Sequence, residues 1–248
     1  ALGLRRENAS RILNLDSRQL SAVVRATGGR YRPILHKDHI PEHPFGKRIN
    51  APQGIVPVMV GFTKDEMTLY NVGFDWWRQM DQAELARRAE DLYPGKSAKL
   101  LNALQKAWPD YAPRHLYTAL LSTRQYLGAT TLAERKAQQN SGDVYLYSFN
   151  WDAPVENGIL KSPHAIELPF VFDNVEKGPL LLGRDKKTIK LGNTMAKVWT
   201  SFARTGNPNT RGIPSWAPYN TDTRMTMTFD ERSKVISNYL GEVRPLLR

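Results

Sequence analysis

The chain has 248 residues, 41% hydrophobic and 24% charged, a balance that excludes global disorder and fits a globular fold. It holds no cysteine, which excludes disulfide scaffolds, cysteine-ligated metals and a thiol nucleophile, and no apolar run of the ~20 residues that a membrane-spanning helix requires. With 35 Lys and Arg against 24 Asp and Glu the formal charge is +11, but the basic residues stand singly or in pairs (Arg5-Arg6, Arg87-Arg88, Lys186-Lys187), without the run or reading motif that a nucleic-acid partner requires.

The pattern predicts two short helices first, over residues 2–15 and 16–26. Asp16 caps the second and Gly28-Gly29 ends it. Residues 31–35 read as a short strand before a loop carrying Pro41, Pro44 and Pro52. Residues 55–61 form an almost unbroken apolar run, which suits a strand covered on both faces, as in a parallel sheet. Helices are expected over residues 78–92, 96–107 and 114–139, with Pro94 and Pro109 at the breaks. Residues 144–149 read as a second buried strand. The clearest helix spans residues 187–204, where Met195, Val198, Trp199 and Phe202 fall on one face and Gly206 and Pro208 supply the stop. Residues 225–229 alternate Met and Thr and predict a terminal, half-exposed strand. Strands alternating with long helical stretches imply an α/β fold with a mostly parallel sheet flanked by helices. Three or four strands with long connections read as one flank of such a sheet.

There is no glycine-rich phosphate loop. His36, His39 and His43 lie near Asp38 and Glu42, but prolines break the segment and no motif surrounds it. They read as loop histidines, with neither metal nor cofactor expected.

Open α/β sheets place ligands at the carboxyl ends of their strands. Glu66 follows the first buried strand and His164 follows the second, so the two can meet there. A carboxylate bonded to a histidine Nδ1–H fixes the tautomer and lets the ring act as base and then acid. From position alone, Glu66 serves equally as a helix cap and His164 as a satisfied core histidine.

Three segments carry a family resemblance. Gly61-Phe62-Thr63-Lys64-Asp65-Glu66-Met67-Thr68 resembles the G-x-[TN]-x-D-E-[GM]-[TS] segment of the type-B carboxylesterases, an α/β-hydrolase family that includes the bacterial para-nitrobenzyl esterase-like enzymes. His164-Ala165-Ile166-Glu167 and the residues up to Phe172 resemble its H-[AG]-x-E segment. The stretch from Trp199 to Asn209, with Trp216-Ala217-Pro218-Tyr219, is similar to its W-x-x-F-A-[RK]-[ST]-G-[ND]-P-N…W-P-x-Y signature, from which Ala217 departs.

The resemblance implies a serine carboxylesterase of the Ser-His-Glu type, with Glu66 as the acid and His164 as the base. It also implies that Phe74, Trp76 and Trp77 help shape the substrate pocket; core packing is the plainer reading of these aromatics. The chain contains no G-x-S-x-G, the nucleophile elbow of the fold. Ser122, Ser162 and Ser201 lack the setting of a nucleophile. Residues 1–248 are therefore expected to be the C-terminal half of one α/β-hydrolase domain. An N-terminal fragment of the same precursor would supply the serine and the oxyanion hole, and a small-molecule ester would be the substrate. The alternative is a non-catalytic interaction protein of the same fold.

Overall fold

The computed structural model describes residues 2–28, 33–43 and 55–248. The chain divides into two compact units, Ala1–Ile49 and Asn50–Arg248.

In the first unit a 3-10 helix covers Arg6–Asn14, and helix α1 covers Ser17–Thr27. The Asp16 carboxylate accepts the Arg18 N–H at 2.8 Å and caps α1. Gly28 closes it in the left-handed conformation, with φ 58°, which glycine adopts without the clash a Cβ brings. Neither helix buries a residue. The strand expected over residues 31–35 falls partly outside the described residues, and residues 33–35 carry no regular structure. Pro44 and Pro52 also lie outside them. His36 and His39 stack with ring centroids 5.0 Å apart. Among the described residues no cluster of three or more His, Cys, Asp or Glu is placed to hold a metal, and no helix is long and apolar enough to cross a membrane.

The second unit carries a four-stranded sheet in the order β1 (Val58–Thr63), β2 (Val144–Phe149), β3 (Thr226–Phe229) and β4 (Lys234–Ile236). The first three strands are parallel, and β4 returns antiparallel to β3. In the register, Val58 faces Val144 and Thr63 faces Phe149, so β1 and β2 end at the same level. Between β1 and β2 run α2 (Asp75–Arg78), α3 (Gln82–Leu92), α4 (Ser97–Ala107) and α5 (Pro113–Gln138). The single helix expected over residues 78–92 is interrupted because Asp81 accepts the Glu84 N–H at 2.8 Å and starts α3 afresh. After β2 come two one-turn helices, α6 (Leu168–Val171) and α7 (Pro179–Leu182), and the long α8 (Lys186–Thr205).

Strand β2 shows why its sequence is apolar throughout. Val144 and Leu146 pack with Tyr126, Ala129 and Ala133 of α5, whereas Tyr145 and Phe149 pack with Met195 and Val198 of α8. Side chains alternate faces along a strand, and here both faces are covered. Gly61 of β1 sits opposite Tyr147, and a Cβ on Gly61 would come within 2.5 Å of the Tyr147 ring. A separate apolar cluster joins Leu85, Leu100, Leu104, Leu116 and Leu120 of α3, α4 and α5.

Strand β3 corrects one expectation. All four of its residues are buried, and it is followed by β4 rather than ending the sheet. Its threonines are accommodated because their hydroxyls bond backbone: Thr226 Oγ1 donates to the Arg224 carbonyl at 3.2 Å and Thr228 Oγ1 to the Lys234 carbonyl at 3.1 Å. The segment after α8 owes its form to Asn209, which accepts the Trp216 N–H at 2.8 Å and donates Nδ2–H to the Trp216 carbonyl at 2.9 Å. That pair of bonds holds the buried Trp216 indole against Tyr145 and Phe229.

Candidate active site

The turn that follows β1 brings Glu66 back over the end of its own strand. The Thr63 N–H donates to Glu66 Oε1 at 2.8 Å, which fixes the carboxylate and leaves Oε2 pointing away from the strand. The loop that follows β2 carries His164, whose Nδ1 lies 2.6 Å from Glu66 Oε2. A carboxylate can only accept, so Nδ1 bears the proton and donates it. Nε2 is then the basic nitrogen, on a side chain that is 51% exposed while that of Glu66 is 9% exposed. The sheet explains the meeting: β1 and β2 are adjacent, parallel and level at their carboxyl ends, so the turns leaving them share one rim.

Ala165, directly after the histidine, has φ 64°. A left-handed backbone at this point favours the smallest side chains, which gives the [AG] position of the motif a physical reason.

Beneath the pair lies a buried polar knot. Asp65 is fully buried. It accepts the Tyr111 hydroxyl at 2.8 and 2.9 Å and the Ser162 N–H at 3.2 Å, and its own N–H donates to the Ser162 carbonyl at 2.9 Å. Lys64 Nζ stands 2.8 Å from Asp152 and 3.8 Å from Asp65, and Lys161 reaches Asp152 at 3.1 Å. Burial pushes the Asp65 carboxyl up to about 6, against the pull of Lys64, Tyr111 and Ser162. For Lys64 burial acts downward, but the carboxylates of Asp65 and Asp152 outweigh it and the ammonium is held above its ordinary range. Tyr111 is pushed well above the usual phenol range by burial and by Asp65.

Tyr70 and Glu167 flank the histidine. The Tyr70 ring centroid is 5.7 Å from that of His164. Burial, and then repulsion from Glu66, raise the Glu167 carboxyl, and its Oε2 is buried without a hydrogen-bond partner among the described residues. A hollow of about 450 Å³ opens between Tyr147, Glu167, Leu168, Phe172 and Trp199.

The three serines are spent on backbone. Ser162 Oγ donates to the Phe149 carbonyl at 2.7 Å, Ser122 Oγ to the Thr118 carbonyl at 2.6 Å, and Ser201 Oγ to the Asn207 carbonyl at 2.8 Å.

The three aromatics expected at the pocket separate. Phe74 is 52% exposed and stacks on Trp76 at 5.7 Å; the Arg88 guanidinium covers Trp76 at 3.7 Å. Trp77 corrects the pocket expectation. It has no exposed surface, belongs to the helical core and donates Nε1–H to the Arg114 carbonyl at 3.0 Å. The plainer reading, core packing, describes it. Sequence reasoning missed Tyr111, whose hydroxyl meets Asp65 across 46 positions with no local signature, the Thr63 N–H, which lies three residues from Glu66, and the left-handed Ala165, which the [AG] position had signalled.

Comparison with known proteins bears on the whole chain. The carboxylesterase family model matches residues 3–244. The chain is 27% identical over 229 residues to the para-nitrobenzyl esterase of Bacillus subtilis (strain 168), covering 88% of this chain and 43% of that protein. It is 24% identical over 198 residues to the phenmedipham hydrolase of Pseudarthrobacter oxydans, covering 77% of this chain and 38% of that one. The crystal structure of the Geobacillus stearothermophilus carboxylesterase EST55 superposes with a TM-score of 0.76 at 26% identity, covering 99% of this chain and 52% of that chain. The chain thus spans about half the length of the relatives it matches.

Proposed function

Because the chain belongs to the carboxylesterase family, we propose that it works in carboxylic-ester hydrolysis, with Glu66 and His164 as the acid and the base of a Ser-His-Glu triad. The observation that carries this reading is the 2.6 Å bond between Nδ1 of His164 and Oε2 of Glu66 at the shared carboxyl end of two parallel strands. Residues 1–248 hold no G-x-S-x-G, and Ser122, Ser162 and Ser201 are engaged with backbone carbonyls. The nucleophile therefore comes from an N-terminal segment or chain of the same precursor.

In the reaction, Nε2 of His164 takes the proton of the incoming serine as it attacks the ester carbonyl. The same nitrogen returns that proton to the departing alcohol. Glu66 holds the ring and stabilises the imidazolium formed between the two steps. Backbone N–H groups on the serine-bearing segment supply the oxyanion hole. The serine-bearing segment docks on the outer edge of β1, the side away from β2, which is the strand's one sheet partner among the described residues. Leu69, Tyr70, Phe74, Leu168 and Phe172 are exposed apolar side chains near the two motifs and suit a small apolar ester, with Phe74 and Trp76 on the substrate side.

The test is reconstitution: this chain is co-expressed with the serine-bearing half and p-nitrophenyl acetate hydrolysis is measured. Turnover should require both parts and vanish with His164→Ala. Full turnover by residues 1–248 alone, or by the His164→Ala assembly, overturns the reading.

A further inference from the structure

Glu66 and His164 sit on two turns that have no covalent reason to keep their distance. Besides their own hydrogen bond, the bonds that tie those turns together involve neither residue. Asp65 and Ser162 form a closed reciprocal link: the Asp65 N–H donates to the Ser162 carbonyl at 2.9 Å, and the Ser162 N–H donates back to Asp65 Oδ2 at 3.2 Å. One end of the link adjoins Glu66, and the other lies two residues before His164. The link is also bolted to the end of β2, since the Phe149 carbonyl accepts both the Lys64 N–H at 2.9 Å and Ser162 Oγ at 2.7 Å.

The Asp65 side chain takes its own orientation from Tyr111, whose hydroxyl is within 2.8 and 2.9 Å of its two oxygens. Tyr111 stands just before α5, outside both turns. Its ring has Lys64 Nζ 5.5 Å and Lys161 Nζ 5.7 Å from its centroid, one ammonium from each turn. A phenol that meets the acid turn through its hydroxyl and both turns through its face makes a rigid spacer between them.

We propose that Asp65, oriented by Tyr111, is the positioning residue that holds Glu66 and His164 at hydrogen-bond distance. This rests on the reading of Glu66 and His164 as triad members. A fully buried carboxylate is a poor source of stability, and burial here drives Asp65 toward its neutral form. A group that is costly to fold and sits between two functional turns fits a role in geometry. Small displacements matter there: an error of ~1 Å in a reacting constellation costs about 10²-fold in rate.

The experiment uses the reconstituted enzyme, with kcat and KM for p-nitrophenyl acetate, the melting temperature and the downfield proton NMR signal of the His164 Nδ1–H measured on each variant. Asp65→Asn leaves one acceptor oxygen where the carboxylate has two, to serve both the Ser162 N–H and the Tyr111 hydroxyl, and should lower kcat by about 10- to 100-fold with KM unchanged and the downfield proton broadened or lost. Tyr111→Phe keeps the ring, removes only the hydroxyl and should lower kcat by a smaller factor in the same direction. Because Tyr111 acts through Asp65, the double variant should be no slower than Asp65→Asn alone. If Asp65→Asn does not fold, Tyr111→Phe decides. Unchanged kcat per folded molecule, with only a lower melting temperature, overturns the proposal and leaves Asp65 as a structural residue. Glu66→Gln separates the two levels: if it keeps normal turnover the triad reading fails, whereas if it is inactive while Asp65→Asn and Tyr111→Phe keep the unsubstituted kcat, only the positioning role fails.

Discussion

His164 Nδ1 and Glu66 Oε2 stand 2.6 Å apart across 98 positions of sequence, and the parallel register of β1 with β2 is what closes that gap. The acid is anchored first, by the Thr63 N–H on Oε1, and the imidazole is brought to its other oxygen. The pair is assembled by backbone geometry within this chain.

The roles assigned to the pair give the first expectation. In the reconstituted esterase, Glu66→Gln should lower kcat by about 10³- to 10⁴-fold with little change in KM, because the amide cannot hold the Nδ1–H tautomer or balance an imidazolium. His164→Ala should cost at least as much, and the two losses should not add, since triad members act as a unit. Steady-state kinetics on the two single variants and the double variant checks both statements.

Trp77 and Phe74 should behave oppositely. Trp77→Ala empties a fully buried site and should destabilise the fold by about 3–5 kcal/mol, read as a lower urea midpoint. Phe74→Ala removes a half-exposed ring and should move KM for esters with large acyl or alcohol groups while the midpoint stays in place. A Phe74→Ala variant with an unchanged substrate profile would remove that ring from the pocket.

Gly61 should resist even one added methyl group. The Tyr147 ring that occupies its Cβ position is itself held edge-on by Trp199 at 5.1 Å and by Phe229 at 5.9 Å. Gly61→Ala is therefore expected to cost about 1–3 kcal/mol by overpacking. Combining it with Tyr147→Leu should return part of that loss, measurable as a coupling in a double-mutant cycle.

Two buried groups make opposing contributions to stability across the same acidic range. Burial lowers His115 to about 4 from 6.5, and its ring stays neutral with Nε2 against the Ile159 carbonyl. The unfolded chain binds that proton more readily, so this contribution is complete above pH 6.5 and is lost as pH falls toward about 4. Asp65 runs the other way. Its folded value, about 6, lies above the unfolded 3.8, so its contribution is complete below pH 3.8 and is lost as pH rises to about 6. At ~1.4 kcal/mol per pKa unit, His115 is worth at most about 3.5 kcal/mol and Asp65 at most about 3 kcal/mol. Wild-type stability should vary little between them. Asp65→Asn should make it climb with pH, and His115→Gln should make it decline, in urea titrations of the reconstituted protein from about pH 4 to pH 7. Parallel curves for all three would refute the pairing.

The sheet and α8 were legible because their cues are local. Residues 144–149 are apolar at every position since both faces of β2 are covered, and Met195 and Val198 fall on the buried stripe of α8. Glu66 and His164 were legible through motifs that each fit in one short segment. The knot below them was not: Tyr111 meets Asp65 across 46 positions and Ser162 meets it across 97, with nothing nearby to mark either partner. Trp76 and Trp77 are equivalent in composition, and only the turn of a four-residue helix leaves one at the margin of the core and sends the other into it. The alternation of Met and Thr in β3 suggested a wet face, and buried hydroxyl-to-carbonyl bonds supplied a dry one.

Glu66 serves two masters with one carboxylate, Thr63 on Oε1 and His164 on Oε2, and that sets a reach the side chain must meet. Aspartate is shorter by one carbon–carbon bond, about 1.5 Å, and would have to abandon either the backbone amide or the imidazole. At this rim of the sheet, glutamate and aspartate are therefore not interchangeable acids: the length of the arm is as much a requirement as the charge at its tip.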